Sequence, residues 1–143
     1  MKEAKVLVVD DEKEFLEGIS ERLEIRGFEI DTAEDGVEAL KKLDKKAYDA
    51  IILDVMMPHL DGLETLRQAL TKRPELQVIL LTGQATVEKG VEAMKLGALD
   101  FFEKPADVEK LAEKIKEGKT KRMVLVEEKQ KETIREVLRR YGY

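Results

Sequence analysis

The chain has no cysteine, a single histidine and only three prolines in 143 residues. Without cysteine there is neither a disulfide framework nor a thiolate zinc site. One histidine cannot build a metal cluster, and His59 is expected to be an exposed loop residue with no catalytic role. No apolar stretch is long enough to span a bilayer, and no signal-peptide pattern precedes the first apolar run, so membrane insertion is not expected and a cytoplasmic location is. Nothing repeats and nothing is low in complexity. One globular domain with a modest remainder fits this length, and such a domain can bury a core without disulfides.

Positive charge is scarce over most of the chain. Residues 119–143 hold eight Lys or Arg against four Glu; of the total charge of −5 the preceding residues therefore carry −9. A domain so acidic lacks the electrostatic attraction that dominates nucleic-acid affinity, so direct binding to nucleic acid is not expected of it. The basic tail reads as a solvated helix face, one that could dock on an acidic face, in preference to a DNA or membrane-surface contact.

What the chain does have is aspartate at the ends of apolar runs. Val6-Leu7-Val8-Val9 leads into Asp10-Asp11, and Ala50-Ile51-Ile52-Leu53 leads into Asp54. Runs of this length followed by helical patterns read as buried parallel strands. The carboxyl ends of neighbouring strands in an open α/β sheet converge on one crevice. Three carboxylates there would repel unless a cation sat among them. Such hard oxygen ligands suit Mg²⁺, and hence phosphate chemistry. The plainer alternative is that these aspartates only cap helices. Two further runs weigh against it. Val78-Ile79-Leu80-Leu81 ends in Thr82-Gly83, and Ala98-Leu99-Asp100-Phe101-Phe102 ends in Glu103-Lys104-Pro105. Successive strand ends thus offer a metal site, an acceptor carboxylate, a hydroxyl donor and a fixed ammonium.

This ordered set, with Met57-Pro58 and Asp61-Gly62 following Asp54, resembles the receiver domain of response regulators, the phospho-accepting module of two-component signalling. The resemblance runs from about Lys5 to Gly118, and the stretch from Val91 to Pro105 is most like receivers of activator-type transcriptional regulators. It implies a flavodoxin-like (βα)5 three-layer sandwich with a parallel sheet of order 2-1-3-4-5. It implies that Asp54 is phosphorylated by a sensor histidine kinase or a phosphotransfer protein, the domain catalysing its own phosphorylation and dephosphorylation without being a classical enzyme. Mg²⁺, for which Mn²⁺ could substitute, would be held by Asp11, Asp54, the backbone carbonyl of Met56 and, directly or through water, Asp10. Lys104 would neutralise the transferring oxygens, and Thr82 and Phe101 would form the switch. Gly83 leaves room beside Thr82, Met56 and Gln84 flank the phosphoryl group and tune hydrolysis, and a cis bond before Pro105 aims Lys104. A homodimer on phosphorylation is also implied.

Helices are expected over about 13–26, 36–45, 63–71, 86–96 and 107–117, with Val87, Val91 and Met94 as the fourth helix's stripe. The division expected is a receiver over residues 1–118, then a basic linker and an amphipathic helical tail over 119–143. Residues 123–126 read as a short strand or anchor, and Ile134, Val137, Leu138 and Tyr141 as an apolar stripe for an effector protein or a second copy. The other readings are a receiver fragment of a DNA-binding regulator whose output domain is absent, an unphosphorylated pseudo-receiver, and a Mg²⁺-dependent phosphatase.

Overall fold

The structure, a computed structural model, describes residues 2–83 and 87–142. Five strands alternate with five helices: β1 (Lys5–Val9), α1 (Lys13–Ile25), β2 (Glu29–Ala33), α2 (Gly36–Lys45), β3 (Ala50–Asp54), α3 (Gly62–Lys72), β4 (Gln77–Thr82), α4 (Val87–Leu96), β5 (Asp100–Glu103) and α5 (Val108–Arg140). All pairings are parallel and the order is β2-β1-β3-β4-β5, as the resemblance implies.

The apolar runs are continuous because both sheet faces are covered. Side chains alternate along a strand. Leu7, Val9, Ile51, Leu53, Val78 and Leu80 therefore face α2 and α3, meeting Leu43, Leu66 and Ala69. Their neighbours Val6, Val8, Ile52, Ile79 and Leu81 face α1 and α5, meeting Leu23, Leu111 and Ile115. The result is a three-layer sandwich with two cores. Gly27 (φ 92°) follows Arg26, the C-cap of α1, where the left-handed backbone conformation costs a glycine least.

Two expectations change. The stripe Val87, Val91 and Met94 is at the surface, 84, 47 and 49% exposed; α4 seats itself through Ala93 and Leu96, and through Gly90, whose missing Cβ would lie 3.5 Å from the Phe101 ring. The supposed linker and short strand after Gly118 are instead the middle of α5, which runs unbroken for 33 residues. Gly118 lies inside the helix where a Cβ would come within 3.1 Å of both Gln77 and Leu99, so the close packing favours a glycine there. The basic residues beyond it are anchors: Lys119 Nζ donates to the Glu3 carbonyl at 2.6 Å, and Arg122 Nη1 pairs with Asp49 at 3.3 Å. Among the described residues no helix is long and apolar enough to cross a membrane.

Candidate active site

The carboxyl ends of β1, β3, β4 and β5 bring the sequence-predicted residues to one edge of the sheet. Asp10 follows β1 at the point where the sheet order reverses between β2 and β3, the crevice expected of an open α/β sheet. Asp54 ends β3, opposite Leu81 of β4, and Thr82 pairs in register with Glu103 of β5. The backbone N–H of Lys104 donates to the Thr82 carbonyl at 2.7 Å, and the Lys104–Pro105 peptide is cis.

Asp10 and Asp54 are buried, and Lys104 bridges them. Its ammonium lies 2.7 Å from Asp10 Oδ2, 3.3 Å from Glu12 Oε1 and 3.7 Å from Asp54 Oδ2. It also sits 4.2 Å from the centre of the Phe15 ring, a cation–π contact. Burial works against the Lys104 charge, but the hydrogen bond to Asp10 and the charges of Asp10 and Asp54 outweigh it, so its pKa is raised. Asp54 is pushed up to about 6, first by burial and then by the charge of Asp10, with a smaller contribution from Asp11; Lys104 and the hydrogen bond from the Met56 N–H pull the other way. That N–H donates to Asp54 Oδ1 at 3.2 Å. An anion so reluctant to form in isolation gains from a nearby cation.

Oxygens of Asp10, Glu12 and Asp54 lie within 4.8 Å of one another, a group able to hold a divalent metal ion. All three donors are carboxylates, which fits Mg²⁺. Glu12 is the member that the sequence reading missed, together with Phe15; the acidic run Asp10-Asp11-Glu12 signalled the first, whereas Phe15 looked like an ordinary stripe residue of α1. Asp11, expected as a direct ligand, is exposed and outside this group, and it reaches Asp54 only through its charge. Capping does not account for the strand-end aspartates. Among the described residues the side chains that cap helices are Asp35 for α2, Asp61 for α3 and Asp107 for α5.

An open cleft of about 230 Å³ over Asp54 is lined by Glu12, Met56, Gly83 and Lys104. The two larger clefts among the described residues contain no buried carboxylate. Gly62 shapes the floor: its N–H donates to the Val55 carbonyl at 2.9 Å, and a Cβ on it would collide with the backbone of Asp54 and Val55. Thr82 is fully buried. Phe101 and Phe102 are half-buried on opposite faces, Phe101 beside α4. Met56 is exposed at the rim, where its sulfur lies 3.2 Å from Lys89 Nζ. Gln84 lies outside the described residues. His59 is an exposed loop residue with φ 70°.

A buried acceptor carboxylate, an acidic cation site and a fixed ammonium at one sheet edge define a domain poised for phosphoryl transfer. The chain belongs to the response regulator receiver domain family, whose model matches residues 6–116. It is 39% identical over 107 residues to the response regulator MprA of Mycobacterium sp. (strain KMS), which covers 75% of this chain and 46% of that protein. The chain thus spans about half the length of the curated relatives it matches. Among solved structures, a response regulator receiver domain protein from Clostridium thermocellum superposes with TM-score 0.81 and 35% identity, over 85% of this chain and 98% of the other. A BeF3-activated receiver domain of DrrB does so with TM-score 0.74 and 35% identity, over 82% and 97%.

Proposed function

We propose that Asp54 accepts a phosphoryl group from a histidine of a sensor kinase or phosphotransfer protein, and that its modification switches a protein-interaction surface. The observation that carries this is Asp54 itself: a buried carboxylate opening on a cleft, with the Lys104 ammonium 3.7 Å away and acidic metal-holding groups beside it. An oxygen of Asp54 forms the new bond to phosphorus as the bond from phosphorus to the imidazole nitrogen breaks, and the histidine leaves. Lys104 is placed to neutralise the transferring oxygens, the main contribution a protein makes to such transfers. Bound Mg²⁺, or Mn²⁺ in its place, supplies further charge neutralisation. Because Lys104 already engages Asp10 and Glu12, Asp11 and Asp54 with the Met56 carbonyl are the ligands proposed for the metal, and Asp10 supports them.

The acyl phosphate adds about −1.5 to −2 of charge. In this reading Thr82 turns its hydroxyl to the new oxygens, with Gly83 leaving room, and Phe101 follows into the space beside it. Because α4 rests on the Phe101 ring at Gly90, the exposed face of α4, β5 and α5 is the surface proposed to change and to form a homodimer. Met56 offers no group to orient an attacking water, so self-dephosphorylation is proposed to be slow, with Gln84 as the other tuning position. The location proposed is the cytoplasm. Since the relatives are about twice as long, a DNA-binding output domain in a longer protein is the second reading.

A small phosphodonor with Mg²⁺ should add one phosphate to the intact chain, read by mass, and none to Asp54→Asn. Equal labelling of the two proteins would overturn the assignment.

A further inference from the structure

Beyond Val126 the helix α5 leaves the body of the domain, and every described residue from Glu127 to Gly142 is exposed. A lone helix of this length is marginal in water, so an ordered one implies a packed face. Its surface is divided in two. Met123, Glu127, Gln130, Ile134, Val137 and Tyr141 recur at alternating steps of four and three, the spacing of a two-stranded seam, with Val124, Val126 and Leu138 flanking them. The reverse face carries Glu128, Lys129, Glu132, Arg135, Glu136 and Arg139, three charges of each sign. Ile134, Val137, Leu138 and Tyr141 are 58, 45, 44 and 70% exposed, an apolar strip with nothing over it in the single chain.

We propose that residues 123–141 pair with the same segment of a second copy of this chain as a parallel two-stranded coil. Charge favours a copy as occupant. The tail's basic excess lies at Lys119, Lys121 and Arg122, at the root of the projecting segment, whereas residues 123–141 carry five basic and four acidic groups and so barely repel their own kind. In the parallel register Val126 flanks Lys131 of the second copy and Thr133 flanks its Leu138, so no like charges meet at the flanking positions, and Glu127 facing its own counterpart is the one like-charge pair in the seam. Glu127 is the acidic residue in the seam, and it brings its own counter-charge in Lys131, 3.8 Å away on the same helix. The ion pairs of Glu132 with Arg135 at 3.1 Å and Arg139 at 3.6 Å lie on the reverse face. At the root, Val126, Gln130 and Ile134 border an open cleft of about 560 Å³ against Glu75, which leaves space for a second helix. The polar layer of Glu127 and Gln130 fixes register at a cost in stability. The segment also falls short of the roughly 20–30 residues a side of a standard interface. The association is therefore weak, with Kd in the micromolar range, about −8 kcal/mol.

The absence of native cysteine makes the test direct. Under mild oxidation of the full chain, Val137→Cys should form a disulfide-linked dimer at least tenfold faster than Arg139→Cys; both positions are exposed, so neither change threatens the fold. Sedimentation of the unmodified, unphosphorylated chain should show dimer growing with concentration. Ile134→Glu should abolish it, and Asp54→Asn should leave it intact, which separates this pairing from anything driven by phosphorylation. Equal cross-linking at 137 and 139, or a monomer at every concentration up to about 1 mM, overturns the proposal, the latter leaving the strip to a different protein.

Discussion

At the scale of the residue, Asp54 is held in a state that its function must relieve. Its proton affinity is raised from 3.8 to about 6 by burial and by Asp10. Between those values the folded protein keeps a proton that the unfolded chain has released. Stability contributed at Asp54 is thus full below the unfolded value and lost as pH rises through about 6. Asp54→Asn removes the buried charge, so in metal-free buffer at neutral pH it should be more stable than the parent, by about 3 kcal/mol at most. Urea unfolding with a chelator, at mildly acidic and at neutral pH, checks this: the gap between the two proteins should widen with pH, and a constant gap would refute the cause given. The metal ligands can be sorted in the same way. Glu12 is already engaged by Lys104, at 3.3 Å, whereas Asp11 is exposed beside the site. In a Mg²⁺ titration Asp11→Asn should weaken binding about tenfold or more, the equivalent of about 1.4 kcal/mol. Glu12→Gln should weaken it far less; the opposite ranking would make the preformed Asp10–Glu12–Asp54 group the working site.

At the scale of the element, position depends on glycines as much as on caps. The α3 N-terminus is capped by Asp61, whose side chain accepts from the Glu64 N–H at 2.8 Å, but its approach to the end of β3 depends on Gly62. A methyl group there meets backbone on both sides of the Asp54 carbonyl, and backbone does not yield as a side chain would. Gly62→Ala should therefore lose about 1–3 kcal/mol of stability, the usual cost of overpacking. It should also slow Asp54 phosphorylation, because the displaced atoms belong to the acceptor residue. Chemical denaturation read beside the phosphorylation rate tests both; an unchanged rate would mean that β3 holds Asp54 without help from α3. The helix α4 is the contrasting case. Ala93 is its one buried residue among those described, so a small movement of Phe101 beneath Gly90 has little packing to overcome.

At the scale of the whole molecule, the site and the exposed strip of Val87, Val91 and Met94 sit on either side of Thr82 and Phe101. Amide chemical shifts recorded with and without a stable phosphate mimic should change over Val87–Leu96 and Asp100–Glu103 as well as around Asp10 and Asp54. Changes confined to the acidic loops would describe a domain that is modified but uncoupled. The sheet that would carry such a change is packed on both faces, every residue of β3 and β4 being buried. The projecting end of α5 stands outside this body, past the Arg122–Asp49 anchor, and its behaviour is expected to be independent of the site.

Much of the molecule was determined along the chain itself. Apolar runs too continuous for a one-sided sheet specified a parallel sheet between two helical layers, and the residues ending those runs, Asp10, Asp54, Thr82 and Lys104, lie together at one sheet edge. Strand order came only with the family likeness, because periodicity records which residues are buried and not which strand lies beside which. Tertiary structure alone decided the rest. Glu12 joined the carboxylates, and Phe15 lay beside Lys104, because both distances are set by how the start of α1 meets the residue that follows β5. The α4 stripe proved external, since helical spacing marks a face without saying what it meets. Gly118, which by itself reads as a helix terminator, lay inside a continuous helix, at a place where Gln77 and Leu99 leave little room for a side chain.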